Sequence, residues 1–244
     1  MITFTYDGIS SSEFGIIVKN VRRQILPGNN HVLVNIPGRA SSYVMPREPK
    51  DRRIDIECII TSNSFEGLRQ KILNIADWLQ QDEHKILDFS DQPGKYYRAI
   101  LVDPIDEDQI LTMSRFVISF VAEPYLYGGE ERRDFVNDYV EFEKENGVPV
   151  LPRFEISFLA DAAEWKLTNA NNNYIRIVNS FHEGDVMEIN CKTGAIYVNG
   201  IVAMDKLDWQ YSRMDKFYLS IINRLQATPA GISNASIFWV PEYK

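Results

Sequence analysis

Residues 63–81, NSFEGLRQKILNIADWLQQ, are the one stretch long and periodic enough to read as a long helix, and they lie among segments that read as strands. Phe65, Leu68, Ile72, Ile75 and Leu79 step by three and four, which puts them on one stripe. Asn63 or Ser64 supplies an N-cap, and with Asn63 in that place Glu66 falls where a capping box needs it. No proline interrupts the segment, and Gly67 near its start costs only about 1 kcal/mol. A single amphipathic helix within a run of strands must bury its stripe on a sheet or plug a barrel.

The strand pattern starts at once, with Ile2, Phe4 and Tyr6 alternating before a turn at Asp7-Gly8. Residues 14–18 and 31–36 read as further strands, with a turn at 27–30 between them. Residues 37–53, PGRASSYVMPREPKDRR, break the pattern with three prolines and five basic residues and read as a long exposed loop. Ile54, Ile56, Cys58 and Ile60 alternate straight into the helix. Residues 84–103 read as a hairpin about Gln92-Pro-Gly94, and 104–108 as a loop. Phe116, Ile118, Phe120 and Ala122 share one side of a long strand. The charge-rich 128–146 segment and the Gly147–Pro152 stretch mark a boundary. Beyond it, strands are expected near 154–158, 174–178, 186–191, 195–198, 217–222 and 237–240, the pattern of an antiparallel sandwich.

With 244 residues, 45% apolar and 25% charged, the chain can build two cores of ordinary size. Aromatic residues at 12% with only 13 glycines fit short strands better than a helical bundle. A net charge of −8 argues against a nucleic-acid binder, which needs a basic face. The start shows neither a basic region followed by an apolar one nor any run of the roughly 18–20 apolar residues that a membrane crossing needs. Cys58 and Cys191 fall within apolar strand patterns and read as buried free thiols of a protein made in a reducing cytoplasm.

Catalytic chemistry is not apparent. His31, His84 and His182 are widely separated, none beside a nucleophile motif, and no zinc spacing or glycine-rich phosphate loop is present. Asp103, Asp106, Glu107 and Asp108 lack calcium-loop spacing and read as a solvated turn. No catalytic residue, metal or cofactor is expected. Trp165 and Trp209 are candidates for stacking on sugar rings, whereas Trp239 lies in a strand pattern and reads as core.

Several short stretches in order carry a resemblance: Phe14-Gly15, Ile36-Pro-Gly-Arg39, Arg52-Arg53-Ile54, Trp78-Leu79, Leu87-Asp-Phe89, Tyr96-Tyr97-Arg98-Ala99 and Glu123-Pro-Tyr-Leu-Tyr-Gly128. Gly147 to Pro152 and Thr193-Gly-Ala-Ile-Tyr-Val-Asn-Gly200 continue it more loosely. Together they resemble the distal tail protein (Dit) family of long-tailed bacteriophages or prophages. That resemblance implies a mainly β chain: an N-terminal β-barrel-like domain with one helix, here 1–132, and a galectin-like β-sandwich, here 133–244. It implies a non-enzymatic tail-tip component of the virion, a homo-hexameric ring joining the tail tube protein to tail-tip or receptor-binding proteins, through which DNA passes without specific binding.

The resemblance also gives the 37–53 loop two readings. It is either a mobile solvated loop or an arm reaching a neighbouring subunit, with Gly38, Arg39, Tyr43, Arg47, Arg52 and Arg53 at the ring interface and the arginines meeting carboxylates such as those of the 103–108 turn. The alternative function, from another class, is a carbohydrate-binding module that adheres to the bacterial cell surface.

Overall fold

The computed structural model describes residues 2–28, 31–45, 49–145 and 147–244. The chain divides into two compact units, 1–128 and 129–243. The division falls a little before the expected 132/133, because Glu131–Asp134 pairs with Ser233–Trp239 and so belongs to the second unit.

Unit 1 contains β1 (Phe4–Tyr6), β2 (Ile9–Ser10), β3 (Ile17–Arg23), β4 (Val32–Val34), β5 (Tyr43–Met45), β6 (Arg52–Thr61), α1 (Phe65–Leu79), β7 (Lys85–Phe89), β8 (Lys95–Leu101), β9 (Glu107–Ile110), β10 (Met113–Ala122) and β11 (Leu126–Gly128). Its main sheet runs β2-β1-β7-β8-β10-β6-β3, barrel-like, with one face of the helix buried, β9 sharing an edge of β10 and β11 pairing with β8. The centre is the antiparallel pair β6–β10, ten residues each, which sets Ile54 opposite Phe120, Ile56 opposite Ile118 and Cys58 opposite Phe116. All six are buried, as the two-residue alternation requires. Asp7 and Gly8, at φ 51° and 79°, turn β1 into β2.

The helix is capped by Ser64, whose Oγ accepts from the Gly67 N–H at 3.1 Å. Gly67 leaves room for two hydroxyls, since a Cβ would lie 2.7 Å from Ser62 Oγ and 3.0 Å from the capping Ser64 Oγ and would make the Ser62 side chain turn away. Leu68, Ile75, Trp78 and Leu79 are buried and Ile72 is half-buried, but Phe65 at the first helical position is exposed. The stripe is therefore shorter at its start than expected and widened at its end by Trp78. That indole stacks on Phe14 (4.6 Å between ring centroids) and Phe4 (5.7 Å), and its N–H donates to the Tyr6 carbonyl at 2.9 Å.

Residues 14–18 do not form one strand. Ser11–Phe14 is a 3-10 turn closed by Gly15 at φ 70°, and β3 begins only at Ile17. The 104–108 loop likewise ends in β9, missed because Glu107, Asp108 and Gln109 give it no apolar alternation.

Unit 2 is a β-sandwich of β12 (Glu131–Asp134), β13 (Tyr139–Glu143), β14 (Arg153–Phe158), β15 (Ala162–Asn169), β16 (Tyr174–Phe181), β17 (Val186–Asn190), β18 (Ala195–Val198), β19 (Ile201–Val202), β20 (Ile222–Thr228) and β21 (Ser233–Trp239). One sheet has the order β12-β21-β14-β17-β18-β19, the other β13-β20-β15-β16. The charged 128–146 segment, at whose start the division falls, forms two strands: β13 buries Val140 and Phe142 while Glu141 and Glu143 face outward. Between the sheets Phe158 stacks on Phe181 at 4.0 Å and Phe142 on Trp239 at 4.6 Å. The expected 217–222 strand is irregular until Ile222, because Phe217 and Leu219 serve as core anchors of a loop.

Cys58 and Cys191 are free and buried, and burial pushes both thiols up to about 12. Neither is expected to react with a thiol reagent at pH 8 in the folded chain, since almost no thiolate forms several units below such a pKa. Addition of denaturant should release two reactive groups in a colorimetric thiol assay; rapid labelling before unfolding would contradict this placement.

Candidate assembly surfaces

The proline-rich loop contains structure. Val32, Leu33 and Val34 pair with Met45, Val44 and Tyr43, making β4 and β5 a two-stranded sheet of their own. The hairpin is closed by a turn in which Gly38 takes φ 84° and the Arg39 N–H donates to the Ile36 carbonyl at 3.1 Å. The Arg39 guanidinium lies 5.9 Å from the centre of the Tyr43 ring. Successive residues of a strand face opposite ways, yet Leu33 (64% exposed), Val34, Ile36, Tyr43, Val44 and Met45 are all exposed. Apolar groups therefore stand uncovered on both faces of this ribbon, and Ile25 and Leu26 before it are exposed as well. Two-stranded hairpins are marginal in water unless another surface packs on them.

Gly38, Arg39 and Tyr43 lie on this hairpin, whereas Arg52 and Arg53 do not. Arg47 lies outside the described residues. Arg52 opens β6 and is only 4% exposed; its Nε donates to the Pro124 carbonyl at 2.5 Å and its Nη1 to the Gln24 carbonyl at 3.3 Å. Burial lowers its pKa from the usual arginine value. Such a side chain holds the subunit's own backbone and has no surface to offer a neighbour. Arg53 meets Asp55 (2.9 Å), Asp103 (2.7 Å) and the Ser119 hydroxyl (3.0 Å) of its own unit. The expected bond from an arginine to the 103–108 turn is therefore made within the subunit, because β9 folds that turn back along β10, next to β6.

Around this bond lies an open groove of about 820 Å³, bordered by Asp55, Glu57, Asp103, Asp106, Glu107 and Asp108 together with Lys19, Arg53 and Arg115. Burial opposes charging of Asp55, but hydrogen bonds from Ser119 and Arg53 and the charges of Arg53 and Arg22 bring its pKa below the usual carboxylate value. Glu57 pairs with Arg22 at 2.8 Å and Glu107 with Arg69. Among the described residues no group of three or more His, Cys, Asp or Glu side chains is placed to hold a metal ion. His31, His84 and His182 are exposed and far apart in the chain.

In unit 2, Trp165 is fully buried on β15 and its indole N–H donates to Ser233 Oγ at 3.1 Å. It is a core residue and has no face for a sugar. Trp209 is 63% exposed, with its N–H donated to the Met204 carbonyl at 3.2 Å.

Two family models match the chain: "Phage tail protein RIFT-related domain" over residues 9–122 and "Siphovirus-type tail component, C-terminal domain" over residues 146–243. The chain belongs to the siphovirus-type distal tail protein family. Family membership gives it a structural role in a phage tail and places it in the virion. Its fold is similar to that of the SPP1 Dit protein, described as a paradigm of hub adsorption apparatus in Gram-positive infecting phages, with a TM-score of 0.87 and 18% identity over 100% of both chains. Chains of the phage p2 baseplate in its activated conformation are also similar over 100% of both lengths. The form with strontium gives a TM-score of 0.57 at 7% identity and the form with calcium 0.54 at 7%. No curated protein matches the sequence. In this distal tail protein the strand expected at 31–36 contains β4, whereas β5 and its pairing lie in the 37–53 segment that reads as a loop. Val32–Val34 and Tyr43–Met45 flanking a Pro-Gly turn are a hairpin signal, masked by the prolines and basic residues around them.

Proposed function

We propose that this distal tail protein is a tail hub: a homo-hexameric ring that joins the tail tube to tail-tip or receptor-binding proteins and lets DNA through. The observation that carries this reading is the hairpin of β4 and β5, whose apolar residues are uncovered on both faces. Head-to-tail contacts that close on themselves make a ring, and an arm that docks on the next subunit is such a contact. The first unit, 1–128, forms the ring in this scheme, and the galectin-like sandwich of the second, 129–243, presents a platform to the proteins attached to it. The description of SPP1 Dit as a hub, and the likeness to chains of the phage p2 baseplate, support the same assignment.

Electrostatics fit a passage. A net charge of −8 per subunit repels phosphates weakly, while arginines lining the lumen would grip DNA in a salt-dependent way. Arg52 and Arg53 already have partners within the subunit, which leaves Arg39 as the described arginine of the arm.

Native mass spectrometry of the purified chain is expected to give six times the 28.2 kDa subunit mass, with rings under the electron microscope. A monomer that stays monomeric both alone and in the presence of its tail tube protein would end this reading.

A further inference from the structure

A groove on unit 2 has the make-up of a saccharide site. It is open to solvent and has a volume of about 580 Å³, within the range of small-ligand pockets. One wall is the Lys192–Gly194 turn between β17 and β18, and the other is the long connection from β19 to β20. That connection is fastened from below. Leu207, Met214, Phe217 and Leu219 sit in the core, and the Ser212 hydroxyl accepts the Arg176 N–H at 3.0 Å. The Arg213 N–H donates to the Tyr174 carbonyl at 3.0 Å. Between these anchors Trp209, Arg213, Asp215 and Tyr218 are exposed on the groove.

Trp209 is the decisive group. Trp78, Trp165 and Trp239 are buried, so it is the tryptophan that meets solvent. Because its N–H is already given to Met204, the ring offers a flat apolar face instead of a free donor. Polar groups line the same groove. Asp215 has no partner among the described residues, and the Arg213 guanidinium reaches only the adjacent Ser212 carbonyl at 3.4 Å. An apolar knob from a protein partner would cover these groups and leave them unpaired. A polyphosphate would meet Asp215, and of the two cations lining the groove Lys192 already faces Glu242 at 4.0 Å, which leaves Arg213 alone to hold it. A pyranose ring matches the arrangement, with a C–H face for the indole and a hydroxyl rim for the polar groups.

We infer that this groove binds hexopyranose oligosaccharides of the bacterial surface, with Trp209 as the stacking platform and Arg213 and Asp215 bonding the hydroxyls. The inference stands apart from ring closure, since a lone subunit carries the same groove.

The test uses the full chain and trisaccharides of glucose, galactose, rhamnose, N-acetylglucosamine and N-acetylgalactosamine. At least one is expected to shift tryptophan emission and protect it from acrylamide, because the exposed indole is the one a quencher reaches. Calorimetry should then show binding abolished in Trp209→Ala, partly kept in Trp209→Phe, and weakened about tenfold in Asp215→Asn and Arg213→Ala, as expected for one lost hydrogen bond each. Trp209→Ala is exposed enough to leave folding intact, which circular dichroism checks. Failure of every trisaccharide, or equal binding by Trp209→Ala, overturns the inference. So does a fall in the particle mass of Trp209→Ala, which would mark the groove as a face covered by protein.

Discussion

Replacing residues 32–45 by a short glycine-serine turn is expected to leave a folded monomer in place of the proposed ring. The hairpin makes its own two-stranded sheet and adds no strand to the main sheet of unit 1, so its removal should leave far-ultraviolet circular dichroism nearly unchanged. What it removes is a set of exposed apolar side chains, Leu33, Val34, Tyr43, Val44 and Met45. Buried anchors at an interface contribute about 2 kcal/mol or more each when truncated, and roughly 1.4 kcal/mol is a tenfold change in affinity. Losing several at once should therefore abolish assembly at micromolar concentration. Single changes Leu33→Asp and Val34→Asp, which put charge on opposite faces of the ribbon, should each weaken it strongly. A ring of unchanged mass after the deletion would show that the subunits meet through other surfaces.

Trp78→Ala is expected to destabilise unit 1 by about 3–5 kcal/mol, the range for truncating a large buried aromatic residue. The indole touches Phe4, Phe14 and Tyr6 and holds the Tyr6 carbonyl, so it ties the end of the helix to the first strand of the sheet. Against a total stability of about 5–15 kcal/mol this is a large share. Calorimetry should show the transition lowered on the order of 10–15 °C. Trp78→Phe keeps part of the stacking but loses the hydrogen bond, and should fall between wild type and alanine. A shift of only a degree or two in the alanine variant would mean that the core closes around the gap at little cost.

How far the residues themselves announce this architecture differs from element to element. The helix and the β6–β10 pair are legible because one face of each is buried, and burial on one face writes a period into the chain. Trp165 carries such a signal too: Glu164 and Lys166 flank it and Leu167 follows, the alternation of a half-buried strand, and its burial agrees. Trp209 has no such neighbours, because in an irregular loop the choice between inside and outside is made by distant anchors such as Leu207 and Phe217. The β5 half of the hairpin hides in the sequence for a related reason, although β4 lies within the strand expected at 31–36. Its apolar residues face both ways, so no period distinguishes a core side. Charge alone assigns Arg52 and Arg53 to the exposed segment, but the strand begins at Arg52 and fold topology supplies their partners, Pro124 and Asp103, from distant parts of the chain.

The uncovered hairpin has a consequence for the subunit before it is built into a tail. A chain that carries its adhesive groups outside depends on mutual repulsion to stay dispersed, and here that repulsion comes from an excess of eight negative charges. Concentrated salt shortens its reach to about 3 Å at 1 M, while apolar attraction persists. Ionic strength therefore sets how long newly made subunits remain apart, and the same property that drives them together in the right order makes them prone to clump when they meet out of turn.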